Sequence, residues 1–119
     1  MNECQKHLLS FIPFLEKAMQ DESLIGTFEY IEPHYSEEVL SFLRAFRDCE
    51  DLTDFNYIEN FSSDWMRSPE MIKDLSLSQI ATLLTGIIRQ DRFNSGLIWS
   101  NIKSGVLLKA LLRLKELWA

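Results

Sequence analysis

Residues 76–93, SLSQIATLLTGIIRQDRF, form the stretch that decides the fold. Ser76 followed three residues later by Gln79 resembles a capping box, which opens a helix. Apolar residues then recur at helical spacing up to Ile88. The spacing predicts a long, apolar helix over about residues 77–93. Gly86 in its interior costs helix stability relative to alanine, and a close helix crossing would explain its presence.

Asp91 is the unexpected residue of this helix. Residues of a helix advance about 100° each, so Asp91 falls near 320°, inside the apolar stripe, when Leu77 is set to zero. A carboxylate buried there needs donors or a counter-charge, and it also opposes the helix dipole. We expect Asp91 to clamp a helix corner through the backbone N–H groups that open the next helix, through Arg113, or through His34. The alternatives are a ligand-binding or catalytic role, or a helix that ends earlier and leaves Asp91 exposed.

Arg89 and Arg92 flank this acid on neighbouring helix faces. Two arginines three residues apart can hold a phosphate or a carboxylate through forked hydrogen bonds. Exposed arginines at this spacing are often only solvated, so both interpretations stand. The predicted ligand-binding residues are Arg89, Asp91, Arg92, Arg113 and His34.

The rest of the chain predicts further helices, working outward from this stretch. The remaining helical segments are residues 3–20 with a kink or restart at Pro13, 37–49 after the cap Ser36, 69–74, 96–104 and 106–118. Residues 27–35 are predicted as a loop rather than a short strand, whose only candidate partner lies near residues 55–58. Residues 50–68 are predicted as a long connection with one short helical turn and aromatic anchors. The fold class is all-α, a single domain over residues 1–119 built as an irregular bundle of about five or six helices.

Composition and charge narrow the function classes. The net charge of −6 is divided into −9 over residues 1–60 and +3 over residues 61–119, and an acidic total argues against nucleic-acid binding. No apolar run is long enough to span a membrane, and no signal peptide is apparent. Two cysteines predict a reducing cytoplasmic location. Zinc would require Cys4 and His7 with two scattered partners, so neither a metal nor a cofactor is predicted.

The C-terminal helix, residues 106–118, is apolar around much of its circumference. A helix of this kind is either central to the core or lies at a subunit interface. The second reading predicts a homo-oligomer, such as a homodimer, formed through this helix.

One pattern, R-x-D-R-F-x-x-G, runs from Arg89 to Gly96. Looser patterns are Leu9-x-x-Ile12-Pro13-x-x-Glu16, Tyr35-Ser36 with Val39 and Phe42, Leu84-Thr85, Gly96-Leu97, and Gly105 with Leu112-Arg113-Leu114. Together these segments resemble a family of small uncharacterised bacterial proteins, a domain of unknown function, and the first pattern is the most specific. The resemblance spans most of the chain and implies no reaction, substrate or cofactor. Where relatives often read Glu-Gly-His-Leu, this chain has Ser95-Gly96-Leu97-Ile98, which removes an acid and a histidine that catalysis would use.

No nucleophile elbow, zinc-protease motif, phosphate-binding glycine loop or dinucleotide fingerprint is present. The sequence therefore favours a small cytoplasmic interaction or regulatory module that self-associates or binds a protein partner. The alternative is a binding protein or enzyme that acts on a small anionic ligand through Arg89, Asp91 and Arg92. A nucleic-acid-associated factor is a weaker alternative.

Overall fold

The predicted long helix is the central element of the computed structural model, which describes residues 1–119. It spans Leu77–Gln90 and begins with the predicted capping box, in which the Ser76 hydroxyl accepts from the backbone N–H of Gln79 and the Gln79 side chain accepts in return. It ends three residues earlier than predicted. The N–H groups of Phe93 and Asn94 both donate to the carbonyl of Gln90, which closes a turn in place of a further helical turn.

Helices make up most of the chain, which confirms the predicted all-α class, although eight α-helices replace the expected five or six. They are α1 (Glu3–Leu9), α2 (Ile12–Gln20), α3 (Glu37–Asp48), α4 (Tyr57–Asn60), α5 (Asp64–Arg67), α6 (Leu77–Gln90), α7 (Leu97–Lys103) and α8 (Val106–Leu117). Short 3₁₀ helices span Glu22–Leu24, Glu50–Leu52 and Pro69–Asp74.

The extra helices come from two segments. The predicted helix over residues 3–20 restarts as α2, with Pro13 in the first turn, where its missing N–H costs no helical hydrogen bond. Residues 50–68 contain a 3₁₀ turn and two short helices, where one turn was predicted. Phe61 and Trp65 anchor this segment, whereas Phe55 is exposed, so the predicted role of the aromatics holds only for its second half.

Residues 27–35 were predicted as a loop, and that prediction was wrong. The strands β1 (Gly26–Glu29) and β2 (Glu32–Tyr35) pair with each other in an antiparallel hairpin, not with residues 55–58. Only Tyr30 and Ile31 connect the strands, so pairing within the segment closes a very short loop. Tyr30 adopts a left-handed backbone with φ of 58°, which makes the tight turn possible without glycine.

The C-terminal helix α8 is central to the core. Its buried residues are Val106, Leu107, Ala110, Leu111 and Leu114, and it packs against α1, α2, α6, α7 and the Pro69–Asp74 helix. Among its large apolar side chains only Leu112 counts as exposed, at 39%. Packing inside the protein thus explains why this helix is apolar, which was the feature from which an oligomer through this helix was predicted.

Buried polar residues of α6 hold the segment before α4 in place. The Thr85 hydroxyl donates to the carbonyl of Leu52 (3.0 Å) and accepts from the N–H of Asp54 (3.1 Å). Thr82 donates to the Asp54 carboxylate. Gly86 faces the ring of Phe61, and a Cβ there would lie 2.3 Å from Cδ2 of that ring. The close contact expected at Gly86 therefore exists, but it is made by the Phe61 side chain and not by a crossing helix. None of the eight helices combines the length and the apolar character that a membrane span requires.

Candidate functional site

Asp91 occupies the corner between α6 and α7, as predicted for a clamp. Its Oδ1 accepts from the backbone N–H of Ile98 and from the Tyr35 hydroxyl, both at 2.8 Å. The Tyr35 oxygen in turn accepts from the N–H of Trp99 at 3.3 Å. Burial raises the pKa of the Tyr35 phenol, and the bond to Asp91 raises it further, so this phenol stays protonated and donates.

The backbone N–H partner of Asp91 was predicted correctly, while Arg113 and His34 were wrong as partners. Arg113 Nε donates to the carbonyl of Leu75 at 2.8 Å, on another part of the molecule. His34 Nε2 lies 3.2 Å from a carboxylate oxygen of Glu29 on the neighbouring strand. The five predicted ligand-binding residues are therefore not gathered in one place. Helical spacing reports which face a residue occupies, but not which remote element packs there.

Arg89 and Arg92 meet a third arginine that the sequence did not single out. They line a cleft of about 410 Å³ with Arg47, and its walls are completed by Phe46, Thr53, Tyr57, Ile88 and Phe93. Arg47 comes from the last turn of α3, and Arg89 from the last turn of α6. The segment after residue 52, which Thr85 anchors, contributes Thr53 and Tyr57 to the lining. Asp91, Arg113 and His34 do not line this cleft.

The three cleft arginines are the arginines without an anionic partner. Arg44 pairs with Glu37, Arg67 with Asp64 and Arg113 with Glu116, whereas Arg47, Arg89 and Arg92 form no salt bridge. The cleft lining contains no aspartate or glutamate. The guanidinium carbon of Arg89 lies 5.6 Å from the centre of the Phe55 ring, a cation–π contact. The cleft is therefore a concentration of uncompensated positive charge on an acidic protein.

Exposed apolar side chains lie beside these arginines, with Phe93 in the lining and Phe55 against Arg89. Phe93 is 83% exposed and Phe55 is 80% exposed, and Ile58 is exposed close to them in sequence. The lining has hydroxyl groups from Thr53 and Tyr57 but no histidine, cysteine or carboxylate. Forked donors beside apolar surface are suited to holding a phosphate or carboxylate group attached to a larger molecule.

The cysteines lie elsewhere. Cys49 is a small buried residue at the end of α3. Burial raises its pKa to about 12, with a further contribution from the adjacent Cys4 thiol. A thiol held in its neutral form is a poor nucleophile. No group of three or more histidine, cysteine, aspartate or glutamate side chains is arranged to hold a metal ion.

The chain belongs to a family of unknown function, DUF6508, whose family model matches residues 1–119. This match confirms the resemblance to a domain of unknown function, while the specific motif and a bacterial origin stay predictions. No curated protein matches the chain, and no solved structure matches it. The cleft geometry is therefore the main basis for an assignment of function.

Proposed function

We propose that this protein is a binding module whose arginine cleft recognises a phosphate or carboxylate group of a ligand or partner. The observation that carries the proposal is the convergence of Arg47, Arg89 and Arg92, none of them paired, on one cleft without an acidic residue. Surface arginines that are only solvated have no reason to gather in this way on a chain with a net charge of −6. The proposal keeps Arg89 and Arg92 from the sequence-based hypothesis and replaces Asp91, Arg113 and His34 with Arg47.

Recognition is favoured over catalysis because the cleft lining has three arginines but no histidine, cysteine or carboxylate, the side chains that most often act as general acids, general bases or nucleophiles. Its volume of about 410 Å³ falls within the range of small-ligand sites. Arg47 comes from α3, Arg89 from α6 and Arg92 from the turn after α6, so the fold sets the spacing of the three guanidinium groups. We also propose a cytoplasmic location, since the two cysteines are not joined in a disulfide.

Calorimetric or NMR titration with pyrophosphate and with citrate tests the proposal. A charge-assisted hydrogen bond contributes about 1.5–3 kcal/mol, so Arg89→Ala and Arg47→Ala should each raise the dissociation constant by about tenfold or more. Arg44→Ala is the matched control, because Arg44 lies on the same helix as Arg47 but is paired with Glu37. It should leave binding unchanged.

Binding, rather than melting temperature alone, is the necessary readout. Arg47 and Arg89 lie in the last turns of their helices, where a positive charge also stabilises the helix dipole by about 0.3–1 kcal/mol. The proposal fails if neither anion binds at about 10 mM, a concentration above even weak dissociation constants. It also fails if Arg44→Ala weakens binding as much as Arg89→Ala does.

A further inference from the structure

The hairpin ends in two apolar side chains that nothing covers. Tyr30 is 95% exposed and Ile31 is 87% exposed, and together they form the connection between β1 and β2. Tyr30 also has a left-handed backbone, with φ of 58°, which glycine or asparagine adopts more readily. An exposed aromatic residue in a strained conformation contributes little to the fold. Such a combination points to a surface kept for contact with another molecule.

The base of the hairpin is held firmly, so the tip is presented in a defined position. The Phe28 ring packs on Trp99, with ring centres 4.4 Å apart. The Trp99 indole N–H donates to Glu22 at 3.1 Å, and Tyr35 at the end of β2 bonds to Asp91. Preorganisation of this kind lowers the entropy lost when a surface binds.

Two carboxylates flank the tip. Glu29 and Glu32 are directly opposite each other in the strand register, and both are exposed. Like charges at opposed positions destabilise a strand pair, and His34 beside Glu29 is the one basic side chain paired with either. The hairpin tip, residues 29–32, is therefore an apolar pair between two acids.

The arginine cleft has the complementary composition. It presents three unpaired guanidinium groups, with exposed Phe93 in its lining and exposed Phe55 against Arg89. The carboxylates of the tip are opposite in charge to the cleft arginines, and Tyr30 and Ile31 can pack on the apolar side chains beside them. The two surfaces are therefore opposite in charge, and each also exposes apolar side chains.

From this complementarity we propose that the hairpin tip of one copy of the protein docks into the arginine cleft of a second copy. The inference rests on the proposed function, because it names the partner whose carboxylates the cleft receives. The contact joins two different surfaces, so two copies either exchange tips reciprocally or associate head to tail. A hairpin tip buries little area, so the association is weak and decreases as salt increases. Pyrophosphate competes for the same arginines and dissociates the copies.

A mixing experiment with two defective proteins tests this directly. The tip variant, Tyr30→Asn/Ile31→Ser, keeps the cleft, and asparagine is at ease in the left-handed conformation. The cleft variant, Arg89→Ala/Arg92→Ala, keeps the tip, and both arginines are exposed. Unlabelled cleft variant is added to ¹⁵N-labelled tip variant, and amide shifts are followed to about 1 mM. A protein with all four substitutions is the matched control, and circular dichroism verifies that each variant folds.

We expect amide shifts at residues 89–93 and 55–58 of the labelled protein, while the control produces none. In sedimentation, the wild type should associate with concentration, and each variant alone should associate at least about tenfold more weakly, as for loss of an interface hot spot. The inference is overturned if the cleft variant produces no shifts, or if shifts appear elsewhere or equally with the control.

Pyrophosphate added to the same labelled sample separates the two proposals. Shifts in the cleft with pyrophosphate but none with the cleft variant would overturn self-association and leave anion recognition standing. Absence of any response to pyrophosphate and to citrate would overturn anion recognition itself, and the inference with it. Amide shifts with pyrophosphate and with the cleft variant, where pyrophosphate reverses the shifts that the cleft variant causes, would support both proposals.

Discussion

Replacement of Asp91 by alanine should destabilise the protein by about 3 kcal/mol. The substitution removes the acceptor of two hydrogen bonds, from Ile98 N–H and from the Tyr35 hydroxyl, each 2.8 Å long. Hydrogen bonds to charged groups contribute about 1.5–3 kcal/mol each, and the lower value applies because the site is only half buried. An unfolding entropy of about 2.1 cal/mol/K per residue converts 3 kcal/mol into a fall in Tm of about 12 °C for 119 residues.

Chemical denaturation and a double-mutant cycle with Tyr35→Phe measure this effect. Tyr35→Phe alone should cost about 1.5 kcal/mol, and the two changes should couple by about 1.5 kcal/mol because they remove the same bond. Asp74→Ala serves as the control, since Asp74 is an exposed acid without a side-chain partner. Asp91→Asn should fall between the wild type and Asp91→Ala, because an amide oxygen still accepts.

A different outcome would refute the clamp. If the free energy of unfolding of Asp91→Ala lies within about 0.5 kcal/mol of the wild-type value, the effect is that of an ordinary surface substitution. The two hydrogen bonds to Asp91 then do not stabilise the fold as argued. If the protein stays stable but loses its response to pyrophosphate, Asp91 belongs to the binding site. A stable fold with normal binding would leave Asp91 with neither role.

The alkaline limit of stability should also depend on Tyr35. Its pKa is raised in the folded state by burial and by Asp91, so the stabilisation is complete below the ordinary value of 10.0. It is lost as pH rises from there toward the higher folded pKa. Tyr35→Phe should remove this part of the dependence, and an unchanged alkaline profile would contradict the assignment.

Three further predictions concern other parts of the molecule. Gly86→Ala should lower the free energy of unfolding in urea by about 1–2 kcal/mol, because the new Cβ meets the Phe61 ring. This loss should exceed the gain in helix propensity. Phe61→Leu in the same chain should recover part of the loss. Stability should fall as pH drops below about 4.5, because hydrogen bonds from lysines lower the pKa of Glu22 and Glu70, and the contribution of such acids is lost as pH falls through the folded pKa. If the double variant Glu22→Gln/Glu70→Gln has the same acid-unfolding curve as the wild type, these two glutamates are not the cause of the acid loss of stability. Tyr30→Gly should raise Tm slightly, since relief of a left-handed residue contributes about 1 kcal/mol, and a lower Tm would show that the tyrosine supports the fold.

The sequence was most informative where the deciding interactions are local. The capping box at Ser76, the restart at Pro13 and the helical period of the apolar residues each involve groups within a few residues, and the structure reproduces all of them. The bond from Asp91 to the start of α7 was predictable for the same reason, because only seven positions separate the acid from Ile98. The mostly helical fold class followed from these elements together.

Tertiary structure decided what joins remote segments. Tyr35 reaches Asp91 across 56 positions, and Arg47 joins Arg89 and Arg92 only because the last turns of α3 and α6 meet at one cleft. Residues 27–35 were predicted as a loop because a strand there had its only candidate partner near residues 55–58, whereas their pairing with one another depends on a left-handed residue that no propensity favours. Periodicity identifies the face of a helix that is buried, but the element that covers it is set by packing the whole core. The Arg89–Phe93 stretch therefore specified its own helix corner by itself, whereas its arginines acquired a candidate function only from the fold.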